Sequence, residues 1–186
     1  MSRVELSEIP GAMALKTGRN YDERRFFEKI FDKSLFASYE LNTHIDSIAI
    51  PSNTSIGTLR GLHFQSPPFE EEKIVSCISG SIFDVVVDLR FDSATFCKWA
   101  AVTLESNDEQ VLYLPAGVAH GFQTLEDNSS VLYGITSTYN PANAHSIRYS
   151  DQDLNISWPI PVGIISIKDA EGLSLADAMK LYMDQR

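Results

Sequence analysis

The most constraining feature of this sequence is a series of short β-type segments, separated by polar turns, between residues 73 and 139. Val, Ile, Phe and Tyr recur within the segments, whereas Ser, Asn, Asp and Gly fill the breaks. Residues 83–89 alternate in the two-residue period of a strand, with apolar side chains on one face and Asp84 and Asp88 on the other. Ser79-Gly80-Ser81 is typical of a hairpin turn. Such close spacing predicts a β-sandwich or barrel rather than a parallel sheet with crossover helices.

Both ends of the chain carry patterns that are typical of helices. Residues 22–31, DERRFFEKIF, place four apolar side chains on one stripe, which predicts a short N-terminal helix. Near the C-terminus, Ser174 followed by Asp177 resembles a helix N-cap. Leu175, Met179 and Met183 then repeat every four residues, which predicts a C-terminal helix with an apolar face.

The bulk properties limit the classes of function. A length of 186 residues suits a single domain over 1–186. The formal net charge of -10 argues against nucleic-acid binding, because a polyanion calls for clustered Lys and Arg. The two cysteines indicate neither a disulfide framework nor a thiolate metal site. The sequence shows no signal peptide and no run of about 20 apolar residues, so the cytoplasm is the expected compartment and no membrane association is expected.

Several residues could carry chemistry, although each also has an ordinary structural interpretation. His63 and His120 are acid–base candidates, but either could be a hydrogen-bonding core histidine. Neither has a second metal ligand two residues further on, so no metal site is predicted. Lys73 could be a solvated charge that balances the glutamates before it, and Tyr133 a core aromatic. Taken singly, these residues leave both interpretations open.

Their order along the chain is more informative than any one of them. The chain contains RGLHFQ at 60–65, Lys73, FDVVVDLR at 83–90, PAGVAHGF at 115–122, VLY at 131–133 and ISWP at 156–159. This series closely resembles the dTDP-4-dehydrorhamnose 3,5-epimerase family, over about residues 20–170. The resemblance implies a mainly β, cupin-type jelly roll (a double-stranded β-helix) with short terminal helices, a homodimer, and no metal or other cofactor.

The resemblance also implies a reaction. The substrate would be a nucleotide-linked 4-keto-6-deoxy sugar, whose C4 ketone acidifies the hydrogens on C3 and C5. A base removes one hydrogen, an enolate forms, and a proton returns from the opposite face of the ring. Such chemistry needs a base, a cation near the ketone oxygen and an acid across the ring.

Roles carry over from the family residue by residue. His63 matches the base, Asp169 the carboxylate that orients it, Lys73 the cation near the enolate oxygen, and Tyr133 the acid. Arg60 matches a diphosphate contact, and His120 a substrate-binding histidine. The resemblance further implies that Arg24 reaches the partner subunit's site from an exchanged N-terminal segment. The remaining implied substrate contacts are Phe27, Gln65 and Tyr139.

This sequence departs from the family where substrate is bound rather than transformed. Ser47 and Ala49 stand about where two amide side chains are usual, and Ala144 where a Glu is usual. An epimerase with an altered sugar or nucleotide is therefore one alternative, and an enzyme acting at C3 or C5 alone is another. A non-catalytic sugar-nucleotide-binding jelly roll and a metal-dependent cupin oxygenase are the alternatives from other classes.

Overall fold

Fifteen strands and three helices are present in the computed structural model, which describes residues 3–5 and 8–185. The helices are α1 (Lys33–Ser38), α2 (Ile167–Ala170) and α3 (Leu175–Asp184). The strands are β1 (Arg3–Glu5), β2 (Met13–Lys16), β3 (Arg19–Asp22), β4 (Arg25–Glu28), β5 (Ser47–Ala49), β6 (Ser52–Asn53), β7 (Thr58–Gln65), β8 (Lys73–Ser79), β9 (Ser81–Asp88), β10 (Trp99–Glu105), β11 (Gln110–Leu114), β12 (Val118–Thr124), β13 (Ser129–Ile135), β14 (Ala144–Ser146) and β15 (Ile164–Ile165).

Two largely antiparallel sheets form the body of the molecule. One has seven strands in the order β1-β2-β11-β8-β13-β5, with β6 also paired to β13. The other has six strands in the order β10-β9-β12-β7-β14, with β15 also paired to β7. The predicted mainly β fold is thus confirmed, as a jelly roll of the cupin type.

Three apolar clusters hold these layers together. The first lies between the sheets, where Val75 and Val131 of the seven-stranded sheet meet Val86 and Phe122 of the six-stranded sheet. The second packs α3 on the outer face of the six-stranded sheet. The third packs Phe36 of α1 on the outer face of the seven-stranded sheet. Apolar surface removed from water at about 25 cal/mol per Å² is the main force that stabilises such layers.

The predicted hairpin at residues 79–81 is wrong. β8 pairs with β11 and β13, whereas β9 pairs with β10 and β12, so this turn crosses from one sheet to the other. Gly80 adopts a φ of +72°, and a Cβ there would lie 2.3 Å from Ser129 Oγ. The local turn chemistry is the same for a hairpin and for a corner between sheets, which is why the sequence pattern misled.

The predicted helix over residues 22–31 is also wrong. β3 and β4 form a hairpin here, and α1 begins only after Asp32, whose carboxylate accepts hydrogen bonds from two backbone N–H groups of the first turn. Phe26 packs edge-on against Tyr21 and lies 4.1 Å beneath the Arg19 guanidinium. Four apolar residues in a short window fit either period, and these cross-strand contacts favour the hairpin.

The C-terminal helix is confirmed. The Ser174 side chain accepts a hydrogen bond from the Asp177 backbone N–H at 3.1 Å, as an N-cap does. Its buried stripe is formed by Leu175, Ala178 and Tyr182, whereas Met183 is 56% exposed. The predicted four-residue repeat therefore identified the helix but only part of its packing face.

Candidate active site

A cavity of about 260 Å³ opens at one end of the space between the two sheets. His63 of β7, Lys73 of β8 and Tyr133 of β13 all line it. The alternation of each strand explains this convergence: Tyr133 lies opposite Val75, which is part of the core between the sheets, so both side chains share the inner face. The cavity is thus the polar continuation of the inner core. Its full lining is His63, Phe64, Gln65, Glu71, Lys73, Tyr133, Ile135, Tyr139, Ala144, His145 and Lys168.

His63 is paired with a carboxylate from the far end of the chain. Its Nε2 lies 2.7 Å from Asp169 Oδ1, across 106 positions of sequence. The four-residue helix α2 places Asp169, and the Asp169 backbone N–H donates to its capping residue, Ser166. The second carboxylate oxygen accepts from the Gly61 backbone N–H at 3.3 Å. His63 is thereby anchored from outside the cavity that it faces.

The electrostatics of this pair favour an ionised carboxylate. Burial of Asp169 opposes ionisation, but hydrogen bonds and attraction from His63, together with the Gly61 and Ser166 contacts, prevail and lower the pKa of Asp169. An ionised carboxylate only accepts hydrogen bonds, so we infer that Nε2 carries the proton. In the neutral ring, Nδ1 is then the unprotonated nitrogen, and it has no hydrogen-bond partner among the described residues.

Lys73 is buried and ion-paired, not a solvated surface charge. Its Nζ lies 2.9 Å from Glu71 Oε1, and the two side chains are only 9% and 13% exposed. Lys73 opens β8 opposite Leu114 on one side and Ile135 on the other, which directs the side chain into the inner space. Burial excludes the surface interpretation and leaves a cation in a cavity.

Tyr133 and His120 lie side by side at the inner end of the site. The two rings contact edge to face, with centroids 5.5 Å apart. Burial and the nearby charge of Asp84 raise the pKa of Tyr133 well above its ordinary value, and Arg60 opposes this in part. The phenol is therefore protonated at neutral pH. His120 is fully buried, with Nε2 2.9 Å from Asp84 Oδ2, and is outside the lining of the cavity.

A family profile described as dTDP-4-dehydrorhamnose 3,5-epimerase matches residues 6–177. The dTDP-4-dehydrorhamnose 3,5-epimerase of Mycobacterium tuberculosis is 39% identical over 176 residues, which cover 91% of this chain and 86% of that protein. The chain belongs to the dTDP-4-dehydrorhamnose 3,5-epimerase family.

Solved structures of the family superpose closely on this chain. The dTDP-6-deoxy-D-glucose-3,5-epimerase of Legionella pneumophila, solved with dTDP-4-keto-L-rhamnose, gives a TM-score of 0.88 at 31% identity and covers 94% of this chain and 93% of that one. ChmJ, a 3′-monoepimerase of Streptomyces bikiniensis solved with dTDP-quinovose, gives a TM-score of 0.84 at 30% identity and covers 92% of this chain and 87% of that one. The fold is therefore shared by double and single epimerases.

The remaining residues that the family resemblance implied fall into two groups. Gln65 and Tyr139 line the cavity, although the Gln65 amide is engaged with the backbone of Phe69 and Asn140. Arg60, in contrast, is exposed and donates from Nε to Asn53 Oδ1 at 2.7 Å. It lies outside the cavity lining.

Arg24 and Phe27 lie outside the cavity of their own subunit. Both are on the exposed β3–β4 hairpin, where Phe27 is 61% exposed and Arg24 pairs with Asp22. Neither lines the cavity. An exposed aromatic side chain and an exposed guanidinium on one hairpin are compatible with the family's exchange across a dimer, which stays a prediction for this chain.

Three ionisable residues of the cavity were not among those predicted from the sequence: Glu71, His145 and Lys168. Burial, and to a lesser degree Lys168, lower the pKa of His145. Glu71 precedes Lys73 by two positions and Lys168 precedes Asp169 by one, so proximity in sequence was the available signal.

Two structural observations bear on cofactors and membranes. Within residues 3–5 and 8–185, no three His, Cys, Asp or Glu side chains come together in a way that could hold a metal ion. In the same part of the chain, no helix has the length and apolar character that a membrane span requires.

Proposed function

We propose that this protein, as a single domain over 1–186, epimerises a dTDP-linked 4-keto-6-deoxy sugar at C3 and C5, without a metal or other cofactor. The observation that carries the proposal is the convergence of His63, Lys73 and Tyr133 on one cavity, with Asp169 behind His63. Family membership supplies the substrate class. A protein that only bound the sugar nucleotide would have no need of this set.

In the proposed reaction, His63 acts first. Its Nδ1 removes the hydrogen from a carbon next to the C4 ketone, and the electron pair moves onto the ketone oxygen to give an enolate. Asp169 holds the tautomer that exposes Nδ1 and stabilises the imidazolium that results. A placed proton-transfer group of this kind is worth about 10²–10⁴ in rate.

Lys73 and Tyr133 then complete the proposed cycle. The Lys73 ammonium, on a side chain that is only 9% exposed, stabilises the negative charge on the enolate oxygen. The Tyr133 phenol gives its proton to the carbon from the opposite face of the ring. His63 loses its proton to solvent and Tyr133 regains one from solvent, so the enzyme returns to its starting state.

Binding of the rest of the substrate belongs to the proposal as well. Arg60 would contact the diphosphate with its planar fork of donors, and Gln65 and Tyr139 would shape the sugar subsite. His120, which is buried behind the lining, would support this subsite through its contact with Tyr133. We expect a homodimer in which the β3–β4 hairpin brings Arg24 and Phe27 to the partner's cavity. The cytoplasm remains the expected compartment.

Deuterium exchange tests the proposal directly. The protein is incubated in deuterated water with dTDP-4-keto-6-deoxyglucose and the sugar is followed by NMR. Deuterium at both C3 and C5 is the expected result, because the returning proton comes from a group that equilibrates with solvent. A protein that binds the nucleotide sugar without exchange at either carbon is a binder, and the proposal then fails.

A single epimerase is the second candidate, favoured by the likeness to the 3′-monoepimerase ChmJ. The machinery is common to both reactions, since each needs one base, one cation and one acid. Placement of the ring decides which carbon faces His63. Deuterium confined to C3 in the same experiment would assign the single epimerase.

Three positions where this sequence departs from the family lie in the cavity lining or pair with residues of that lining, so the identity of the substrate should be tested. Ala49 lies directly opposite Tyr133 and Ser47 opposite Ile135 in the register of β5 and β13, and Ala144 lines the cavity itself. Small side chains at these positions leave room for a different sugar substituent. Thermal protection by dTDP, UDP, CDP and GDP sugars measures the preference, and protection by dTDP sugars above all others would remove the case for an altered nucleotide.

A further inference from the structure

The cavity contains one acidic side chain among the described residues that line it, and the proposed reaction gives it no part. Glu71 lies in the loop before β8, and its Oε1 is 2.9 Å from Lys73 Nζ. Both side chains are largely shielded from water, so their attraction is much less screened than that of a surface pair. The cation expected to face the ketone oxygen therefore has a fixed counter-ion.

The Glu71 carboxylate is itself held by a second contact. Its Oε2 accepts a hydrogen bond from Gln65 Nε2 at 3.2 Å. The same Nε2 also lies within hydrogen-bond distance of the Phe69 and Thr138 carbonyls, at 2.9 and 3.3 Å, and Gln65 Oε1 accepts from the Asn140 backbone N–H at 2.7 Å. Backbone groups thus hold the Gln65 amide in place, and this amide contacts the Glu71 carboxylate. The Glu71 carboxylate in turn holds the Lys73 ammonium.

We propose that Glu71 is a positioning residue, which holds the Lys73 ammonium where the enolate oxygen forms. The inference rests on the proposed function and extends it. A lysine side chain has four rotatable bonds and a point charge, so without a partner its ammonium samples many positions. Electrostatic stabilisation of an oxyanion depends on a charge that is already in place when the reaction occurs. Glu71 supplies that order and need not touch the substrate.

Steady-state kinetics of Glu71 variants give the first test. Displacement of a reacting or stabilising group by about 1 Å can cost about 10² in rate. We therefore expect Glu71→Ala to lower kcat by about 10–100-fold with little change in KM. Glu71→Gln keeps an oxygen that can accept from Lys73 and should lose less. Glu126→Gln, at an exposed turn, is the matched control and should behave as wild type.

A double-mutant cycle tests whether Glu71 acts through Lys73. Removal of Glu71 from the Lys73→Ala protein should cause no further loss of turnover, because the group that it positions is already gone. Slow exchange of deuterium into the sugar over hours measures the residual rates, and melting temperatures show whether each variant is folded. Losses that multiply, or a Glu71→Ala protein as fast as wild type, would overturn the inference.

An NMR measurement separates this inference from the proposed function. The ¹⁵Nζ signal of Lys73 should report a more ordered ammonium in the wild type than in Glu71→Ala, whatever the protein's activity. An ammonium that is equally ordered in both proteins rules out positioning by Glu71. If the wild-type protein fails to exchange deuterium into the sugar, the proposed function is wrong, and the NMR comparison still decides whether Glu71 orders Lys73.

Discussion

The chemistry proposed for this protein depends at the residue scale on one imidazole and its carboxylate. An amide at position 169 could donate to His63 Nε2, which would move the ring proton to Nδ1 and block the base. We therefore expect Asp169→Asn to lower kcat by about 10²–10⁴, with little effect on substrate binding. Steady-state kinetics and thermal protection by a dTDP sugar measure the two quantities. A variant with a tenth or more of wild-type turnover would show that the carboxylate is dispensable.

The same carboxylate predicts a pH dependence of stability. The folded pKa of Asp169 is lowered below its ordinary value of about 3.9, so ionisation stabilises the folded state above that value. This contribution is lost as the pH falls through the folded pKa. The difference in unfolding free energy between the wild type and Asp169→Asn should therefore shrink from pH 7 to pH 3, as measured by denaturant titration. A difference that stays constant over this range would contradict the lowered pKa.

Side chains in the cavity and in the core should differ sharply in their effect on turnover. We expect His63→Ala and Lys73→Ala to lose nearly all activity, by about 10²–10⁴ and 10²–10³ respectively. Cys77→Ser is the contrasting variant, since this free thiol lies in β8, in the core between the sheets, and is not part of the cavity lining. It should keep near-normal turnover. A His63→Ala protein that retains a tenth of wild-type activity would refute its assignment as the base.

At the scale of elements, the contact between β7 and β12 positions the site. Gly61 has a φ of +122°, and a Cβ there would lie 2.5 Å from the Gly121 Cα. These two strands carry His63 and His120, which lie opposite each other in the register. Side-chain-free positions thus allow the strands to approach closely where the site is built.

Substitution of Gly61 should damage both stability and activity. Gly61→Ala adds a backbone clash to a strained φ, which by itself costs about 1–3 kcal/mol. Gly18→Ala is the matched control, because Gly18 also has a positive φ but a Cβ there would meet no neighbouring group within 4 Å. Denaturant titration should show a larger loss of stability for Gly61→Ala, together with lower turnover. Equal losses of stability in the two variants would show that the close approach of β7 and β12 at Gly61 does not contribute to stability.

At the scale of the whole molecule, the exposed β3–β4 hairpin predicts a shared active site. If Arg24 serves the partner's cavity, a dimer of one His63→Ala and one Arg24→Ala subunit contains one intact site, because both changes fall together in the other site. Co-expression should then give activity well above that of either variant alone. Separation of the mixed dimer by differential tags allows its turnover to be measured. No recovery in a verified mixed dimer would place Arg24 outside the partner's site.

The sequence by itself determined the fold class, the C-terminal helix and the family. The alternation in residues 83–89 predicts a strand with two different faces, and Ser174 predicts the start of a helix. Both patterns depend only on neighbouring residues, so they can be recognised without the tertiary structure. The family motifs also identify His63, Lys73 and Tyr133 as candidate site residues.

Only the tertiary structure decided which local signals were ambiguous and how the site is assembled. Gly80 could turn a hairpin or a corner, and residues 22–31 could form a helix or a hairpin, because contacts made by distant residues choose between them. The burial of Lys73 against Glu71 and the pairing of His63 with Asp169 likewise depend on the stacking of two sheets. Non-local packing brings these groups together, and no local sequence pattern encodes their distances.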